Sequence, residues 1–437
     1  MVIPQRSNRT VLSLTCIAAA ASVFACGGGD APPFVPASPP AFVPLAAKLP
    51  ASASEYDKHM QVARLTWNRN NDITAPYWCA SPGTGSNPLL ADRSVVPITQ
   101  IFDGFYFTGT VSVGQYVMKT ADGGYVLFDT MNNAADVTNI TIPQLQAAGI
   151  DPAKLRAIVV THGHGDHDGG VPELVARFNP PTIVVGSDDY SSAKPYPATI
   201  QVDSKNLTPR PLTVAGITVM SIPTPGHTPG TTSYILSVTY KGEPHKIAYW
   251  GGSAFPATAA AAAQYMQGAA TMYEQIKAQQ VDASINSHGF EDKSLDRVRA
   301  IQAQGGIGAS NPMIQGTAKI QLGFATLRSC SAAQLSNRDA TARNPVWRPT
   351  TVEFHSGGIG GTGMVVAARV SNYFNVVAGG AVKFTAADGA TCSATTDSAG
   401  VATCTMQATA GMVKAEFAGR SDSDGVDLSS FATRTVQ

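Results

Sequence analysis

The chain reads as an α/β sandwich, with helices outside packed sheets, followed by a small all-β domain. Three observations predict it. Strand-like and helix-like stretches alternate, with hairpin signals between them, over residues 101–286. The continuous apolar run at 157–160 (Ala-Ile-Val-Val) marks a strand buried on both faces. From about Asn344 helical periodicity disappears, and short Val/Ala/Thr/Phe runs are separated by Gly, Asp and Ser. The 437 residues are too many for one ordinary domain. Lys+Arg and Asp+Glu are 30 each, and only 14% of residues are charged. That balance excludes a polyanion binder driven by clustered cations, so nucleic acid is not an expected partner. With 41 Gly and 29 Pro the chain is rich in loops and strands, not in long helices.

The elements follow in order. Arg6 and Arg9 precede an apolar run over 11–25 that is too short to span a bilayer, so residues 1–25 read as a secretory signal. Val23-Phe24-Ala25-Cys26 resembles the lipobox of bacterial lipoproteins. The resemblance implies cleavage before Cys26, its lipidation, and an exported, periplasmic chain tied to the outer membrane through that anchor alone. No later segment offers the roughly 18–20 apolar residues of a spanning helix. Residues 26–52 are Pro/Ala-rich and expected to be a semi-extended spacer.

The main domain is assigned to 53–340. Phe105-Tyr106-Phe107-Thr108 and Tyr116-Val117-Met118 read as strands, and Asp122-Gly123-Gly124 as the hairpin turn before Tyr125-Val126-Leu127-Phe128. Ile142, Leu145 and Ile150 are spaced for one buried helical side. Further strands are expected at 182–185, 217–222, 233–240, 246–250 and 283–286, and an Ala-rich helix over about 257–279. Residues 345–437 form the β domain, whose strand spacing fits an immunoglobulin-like sandwich. The run 380–419 resembles bacterial Ig-like repeats, and with no ligand cluster the domain is expected to be an independently folding spacer or docking module.

In an exported chain the remaining cysteines are disulfide candidates. Cys79, Cys330, Cys392 and Cys404 allow three pairings. A hairpin turning at 397–399 places Cys392 opposite Cys404, and elimination leaves Cys79 with Cys330.

The chemistry gathers after the buried strand, in Thr161-His162-Gly163-His164-Gly165-Asp166-His167-Asp168. Residues two apart on an extended segment face one side, so His162 and His164 can address one ion. Gly163 and Gly165 let the loop curl and direct Asp166 and His167 toward a second. His227, in Pro225-Gly226-His227-Thr228-Pro229-Gly230, and His288, in Asn286-Ser287-His288-Gly289, each follow another strand end. His59, His245 and His355 lack such a context. Asp129, at the end of its strand, is a candidate partner for a ligand histidine.

These three loops resemble the metallo-β-lactamase superfamily over residues 95–330. The resemblance implies an αβ/βα sandwich holding two zinc ions per chain, the first on His162, His164 and His227, the second on Asp166, His167 and His288. Many members carry a bridging Asp after the strand at 246–250, where this chain has Gly251-Gly252-Ser253. That departure is most similar to the third, all His/Asp-ligand, subclass of metallo-β-lactamases, in which a nearby Ser helps hold the substrate carboxylate; Ser253 is the candidate. The expected activity is opening of a cyclic amide in a small-molecule substrate, with Asp166 as the proton-handling catalytic residue. Two other readings remain: the same zinc site acting on a lactone, ester or phosphate, and a non-catalytic surface-binding lipoprotein.

Overall fold

The computed structural model describes residues 34–69, 79 and 88–437. The expected signal segment and Cys26 lie outside them. The first sheet of the main domain holds β1 (Val95–Phe102), β2 (Phe105–Thr110), β3 (Gly114–Lys119), β4 (Tyr125–Phe128), β5 (Leu155–Val159), β6 (Thr182–Gly186) and β7 (Ile200–Val202), side by side in that order. It is antiparallel up to β4 and parallel from β4 to β7. The second sheet holds β8 (Arg210–Val214), β9 (Ile217–Pro223), β10 (Thr232–Tyr240), β11 (Glu243–Tyr249) and β12 (Ala283–Ile285), with β11 and β12 its parallel pair. The helices are α1 (Glu55–Arg69), α2 (Ala134–Asp136), α3 (Ile142–Ala147), α4 (Gly165–Asp168), α5 (Val171–Phe178), α6 (Ala259–Gln279), α7 (Ser294–Ala303) and α8 (Thr317–Arg338).

The two-residue period of a strand explains the layers. In β4, Val126 and Phe128 face the second sheet and join Tyr234, Leu236 and Tyr249 in the central core. Tyr125 and Leu127 face the other way, against Leu145 of α3 and Leu174 of α5. The outer side of the second sheet packs Ile222, Ile235 and Trp250 on Tyr265, Met272 and Ile276 of α6 and on Phe324 and Leu327 of α8. Helix α6 starts where Thr258 Oγ1 accepts the Ala261 N–H and stops at Gln280, a left-handed residue. Helices therefore cover both outer faces, and the expected αβ/βα sandwich stands.

The C-terminal region is all-β. Its strands are β13 (Trp347–Arg348), β14 (Thr350–Gly360), β15 (Gly363–Asn372), β16 (Ala381–Ala386), β17 (Thr391–Thr395), β18 (Val401–Met406), β19 (Gly411–Phe417), β20 (Arg420–Asp422), β21 (Gly425–Asp427) and β22 (Ser430–Val436). Sheets β14-β15-β18 and β17-β16-β19-β22 enclose Val366, Ala368, Phe384, Val413 and Phe417, and β13-β21-β20 forms a small third sheet.

Three expectations change. Cys392 and Cys404 are bonded, Cα to Cα 6.1 Å, but not as rungs of one hairpin. β17 pairs with β16 and β18 with β15, so after the turn at Asp397 the chain changes sheets and the bridge joins the two layers. Cys79 and Cys330 are also bonded, with Cα atoms 5.0 Å apart across 251 residues of sequence. Second, the described part of the Pro-rich segment is no free spacer. Its carbonyls, unpaired in an extended Pro-rich chain, take donors from the folded domains: Pro40 O from Arg369 (2.6 Å) and Ala47 O from Gln61 (2.8 Å). Leu45 N–H in turn donates to Tyr373 O at 2.9 Å. Third, the β domain is not a detached module. The Arg328 guanidinium of α8 lies over the Trp347 ring, Tyr273 of α6 packs against it at a tilt, and Leu428 enters the α6–α8 core.

Candidate metal centre

Loops after β4, β5, β9, β11 and β12 meet at one edge of the sandwich. His162 leaves β5 and is buried, while His164, extended at the N-cap of α4, is exposed. His162 Nε2 lies 3.2 Å from His164 Nδ1 and 3.1 Å from His227 Nε2. The three rings stand edge to face with centroids 4.5–4.8 Å apart, so one nitrogen of each points at a common space. Beside it, His167 Nε2 and His288 Nε2 are 3.3 Å apart. Asp166 Oδ2 sits 3.6 Å from the first and 3.4 Å from the second. The structure thus brings together all six side chains singled out in the sequence. His59, His245 and His355 take no part: His245 pairs with Asp282 at 2.7 Å, away from the cluster.

The outward nitrogens decide what the inward ones can do. His227 Nδ1 faces Ala254 O at 2.9 Å, His288 Nδ1 faces Ser112 O at 2.7 Å, and His167 Nδ1 faces Asp129 Oδ2 at 2.8 Å. Each partner accepts, so Nδ1 carries a hydrogen, and the neutral form of each ring turns its Nε2 lone pair inward. Converging lone pairs with one carboxylate form a donor set for a divalent cation, and imidazole with carboxylate suits zinc. The crowded donors perturb one another. Burial and the neighbouring imidazoles hold His162 well below its usual pKa, and burial takes His227 to about 4. Burial works against the charge on His288, yet the Asp166 hydrogen bond raises it to about 9. Burial likewise opposes the Asp166 charge, but His288 and His167 hold this carboxyl well below the usual range.

Asp129 is the hub beneath the second group. It is fully buried and sits in the left-handed region at φ 58°, where Asp is tolerated better than most residues. Its carboxylate accepts from Thr161 N (2.8 Å), Tyr249 OH (3.0 Å) and Ser287 Oγ (2.6 Å), besides His167. The ends of β4, β5, β11 and β12 are tied at one side chain. Tyr249 and Ser287 carry no sequence signal of this role beyond Ser287 preceding His288.

Ser253 has a structural partner beyond the role expected of it. It is buried, and its Oγ accepts the Asn286 amide at 2.9 Å, while Asn286 Oδ1 takes the His288 N–H at 2.8 Å. Through Asn286 it supports the His288 loop. The Gly-Gly before it has a steric cause. A Cβ on Gly252 would lie 2.6 Å from His227 Cδ2, and one on Gly251 would lie 2.3 Å from Thr232 O. No carboxylate fits there.

The two-sheet sandwich with a His/Asp donor set at its edge defines a metallo-hydrolase type of domain. Residues 109–254 match the sequence profile of the metallo-beta-lactamase superfamily, and the domain belongs to it. Among curated proteins the chain is 32% identical over 120 residues to a hydroxyacylglutathione hydrolase of Rhodopseudomonas palustris (27% of this chain, 44% of that protein). It is 30% identical over 114 residues to a human hydroxyacylglutathione hydrolase-like protein (26% and 36%). It is 28% identical over 228 residues to the atrochrysone carboxyl ACP thioesterase of Passalora fulva (52% and 62%). The chain thus spans less than half the length of the first two. Among solved structures, the subclass B3 metallo-beta-lactamase BJP-1 of Bradyrhizobium japonicum is 22% identical with TM-score 0.45, over 57% of this chain and 97% of that one.

Proposed function

We propose that the chain is a zinc-dependent hydrolase that opens the cyclic amide of a β-lactam-like small molecule. The observation supporting this is the six-residue donor set with no carboxylate at 251–252, where packing against Thr232 and His227 forbids one. His162, His164 and His227 would hold one zinc ion, and Asp166, His167 and His288 a second. Zinc, when bound, polarises a carbonyl and lets water ionise near neutral pH. The chain's own residues supply the rest. Asp166, kept ionised and partly exposed, can take a proton on its carboxylate and return it to the leaving nitrogen. Asp129 fixes the His167 ring, and Ser253 through Asn286 fixes the His288 loop.

A second reading, hydrolysis of a thioester or another ester such as a lactone, is favoured by the names of the curated relatives, which include a hydroxyacylglutathione hydrolase, a hydroxyacylglutathione hydrolase-like protein and a thioesterase. A phosphate ester has narrower support, a ribonuclease match over 13% of this chain, and six converging ligand-type side chains speak against a non-catalytic protein. We also propose export and lipidation at Cys26; the support is the sequence of residues 1–26 and two disulfides that suit an oxidising compartment.

The test is hydrolysis of a carbapenem, a cephalosporin, a lactone and an S-acyl glutathione, with chelator and after zinc is restored. β-Lactam turnover lost with chelator and regained with zinc is expected. Turnover of the thioester or lactone alone would select the second reading, and no turnover by zinc-loaded protein would remove both.

A further inference from the structure

We propose that Asp189 is a positioning residue that locks the two histidine loops of the first metal group into register and thereby sets the affinity of that group alone. This rests on the reading of His162, His164 and His227 as metal ligands. Asp189 closes the short turn after β6, in Gly186-Ser187-Asp188-Asp189. Its side chain spans two loops that are far apart in sequence. Oδ2 accepts the Gly163 N–H at 2.8 Å and the Thr228 hydroxyl at 2.6 Å, while Oδ1 accepts the Gly230 N–H at 2.8 Å. Gly163 lies between His162 and His164; Thr228 and Gly230 flank His227.

Packing agrees with the hydrogen bonds. A Cβ on Gly163 would lie 3.0 Å from Asp189 Cβ, and one on Gly230 would lie 2.5 Å from Asp189 N. Both glycines leave room for the Asp189 turn to reach the loops. From the other side Lys194 donates to Gly163 O at 3.0 Å, so both peptides flanking Gly163 are held by the segment that follows β6. The second group is held by other means: His167 by Asp129, and His288 by Ser112 O and Asn286.

Ligands already converged lose little freedom when an ion binds, whereas ligands on loosened loops must be ordered at that moment. Asn at 189 keeps one acceptor oxygen and turns an NH2 toward at least one of the donors. Residues that orient metal ligands typically alter affinity by about 10- to 100-fold when changed.

The experiment measures zinc affinity of the full chain by competition with a chromophoric chelator, for wild type, Asp189→Asn, Thr228→Val and Thr228→Ser. His227→Ala identifies the first-group step. The metal-free melting temperature is recorded for each. Asp189→Asn is expected to weaken the first-group step by about 10- to 100-fold and the other by under about threefold. Thr228→Val should weaken the same step less, and Thr228→Ser, which keeps the hydroxyl, should restore it. Should Asp189→Asn not fold, the Val/Ser pair at 228 decides alone. Equal weakening of both steps, tracking a lower metal-free melting temperature, would mean a general structural role and overturn the proposal; so would an unchanged first step. Wild-type protein that takes up no zinc at the first group would overturn the metal reading, and the proposal with it.

Discussion

At position 252 there is no room for a side chain, because a Cβ would lie 2.6 Å from His227 Cδ2 and 2.8 Å from its Cβ and Cγ. Gly252→Ala should therefore push the His227 ring out of the group it shares with His162 and His164. Zinc affinity of that group is expected to fall by at least about tenfold. Overpacking of this buried site should cost about 1–3 kcal/mol of stability. Gly252→Asp should behave the same way and add no ligand. Chelator competition and chemical denaturation measure both effects; a fully zinc-loaded, stable Gly252→Asp protein would refute the steric account. The sequence shows the Gly-Gly departure but not its cause, since Gly252 and His227 meet only in the folded chain. Local spacing is what made the site legible: His162, His164, Asp166 and His167 are crowded into six residues, and His227 and His288 follow strand ends. Asp189 and Tyr249 stayed hidden because their work lies in hydrogen bonds between distant loops, and as residue types they look like any strand-end Asp or strand Tyr.

At the scale of elements, legibility depended on how many sides of an element are buried. β4 and β5 were readable as apolar runs, and α6 from its Ala-rich stretch. Helix α8 was not, because α1, α6 and the β domain surround it and it buries Thr326, Ser329 and Ser331 along with Phe324 and Leu327. Its polar side chains survive inside by bonding back to the helix, Thr326 to Leu322 O at 2.9 Å and Ser331 to Leu327 O at 2.6 Å. The resulting helix has no polar stripe to reveal its period. His59 of α1, which the sequence marks as ordinary, lies buried against this region. Burial, with the nearby Arg328 guanidinium, lowers its pKa to about 3. Below the unfolded value of about 6.5 the unfolded chain binds the proton and the folded chain does not, so stability falls as pH falls from 6.5 toward 3. His59→Leu should flatten that part of the stability curve while leaving the curve above pH 7 nearly parallel to wild type. Urea midpoints of metal-free protein between pH 5 and 8 test it, and identical slopes for the two proteins would remove His59 from the pH response.

The whole molecule differs from the string of modules its composition suggests. A boundary near residue 340 is visible in the sequence as a loss of helical periodicity, but that change says nothing of the interface formed afterwards. Trp347 lies 4.6 Å from the Arg328 guanidinium and 5.0 Å from the Tyr273 ring, and Val426 and Leu428 pack on the α6–α8 cluster. The Pro-rich segment binds across the same junction, where Lys48 pairs with Asp424 at 2.5 Å and Tyr373 donates to Thr66 on α1 at 3.1 Å. Ending the chain at Ala340 removes all of these partners and leaves α6 and α8 with an uncovered apolar side. Three apolar side chains at about 1.5–3 kcal/mol each, discounted because two are only partly buried, amount to roughly 4 kcal/mol. For a domain of this size that corresponds to a melting temperature lower by about 10 °C. The metal ligands lie on other loops, so the folded fraction of the shortened protein should retain zinc and turnover. Trp347→Ala in the full chain should give a smaller decrease of the same kind. Thermal melts with zinc analysis on both variants provide the measurement. An unchanged melting temperature would mean that the β domain is the independent module its sequence suggests, whereas loss of zinc from the folded fraction would mean that this junction reaches the metal centre.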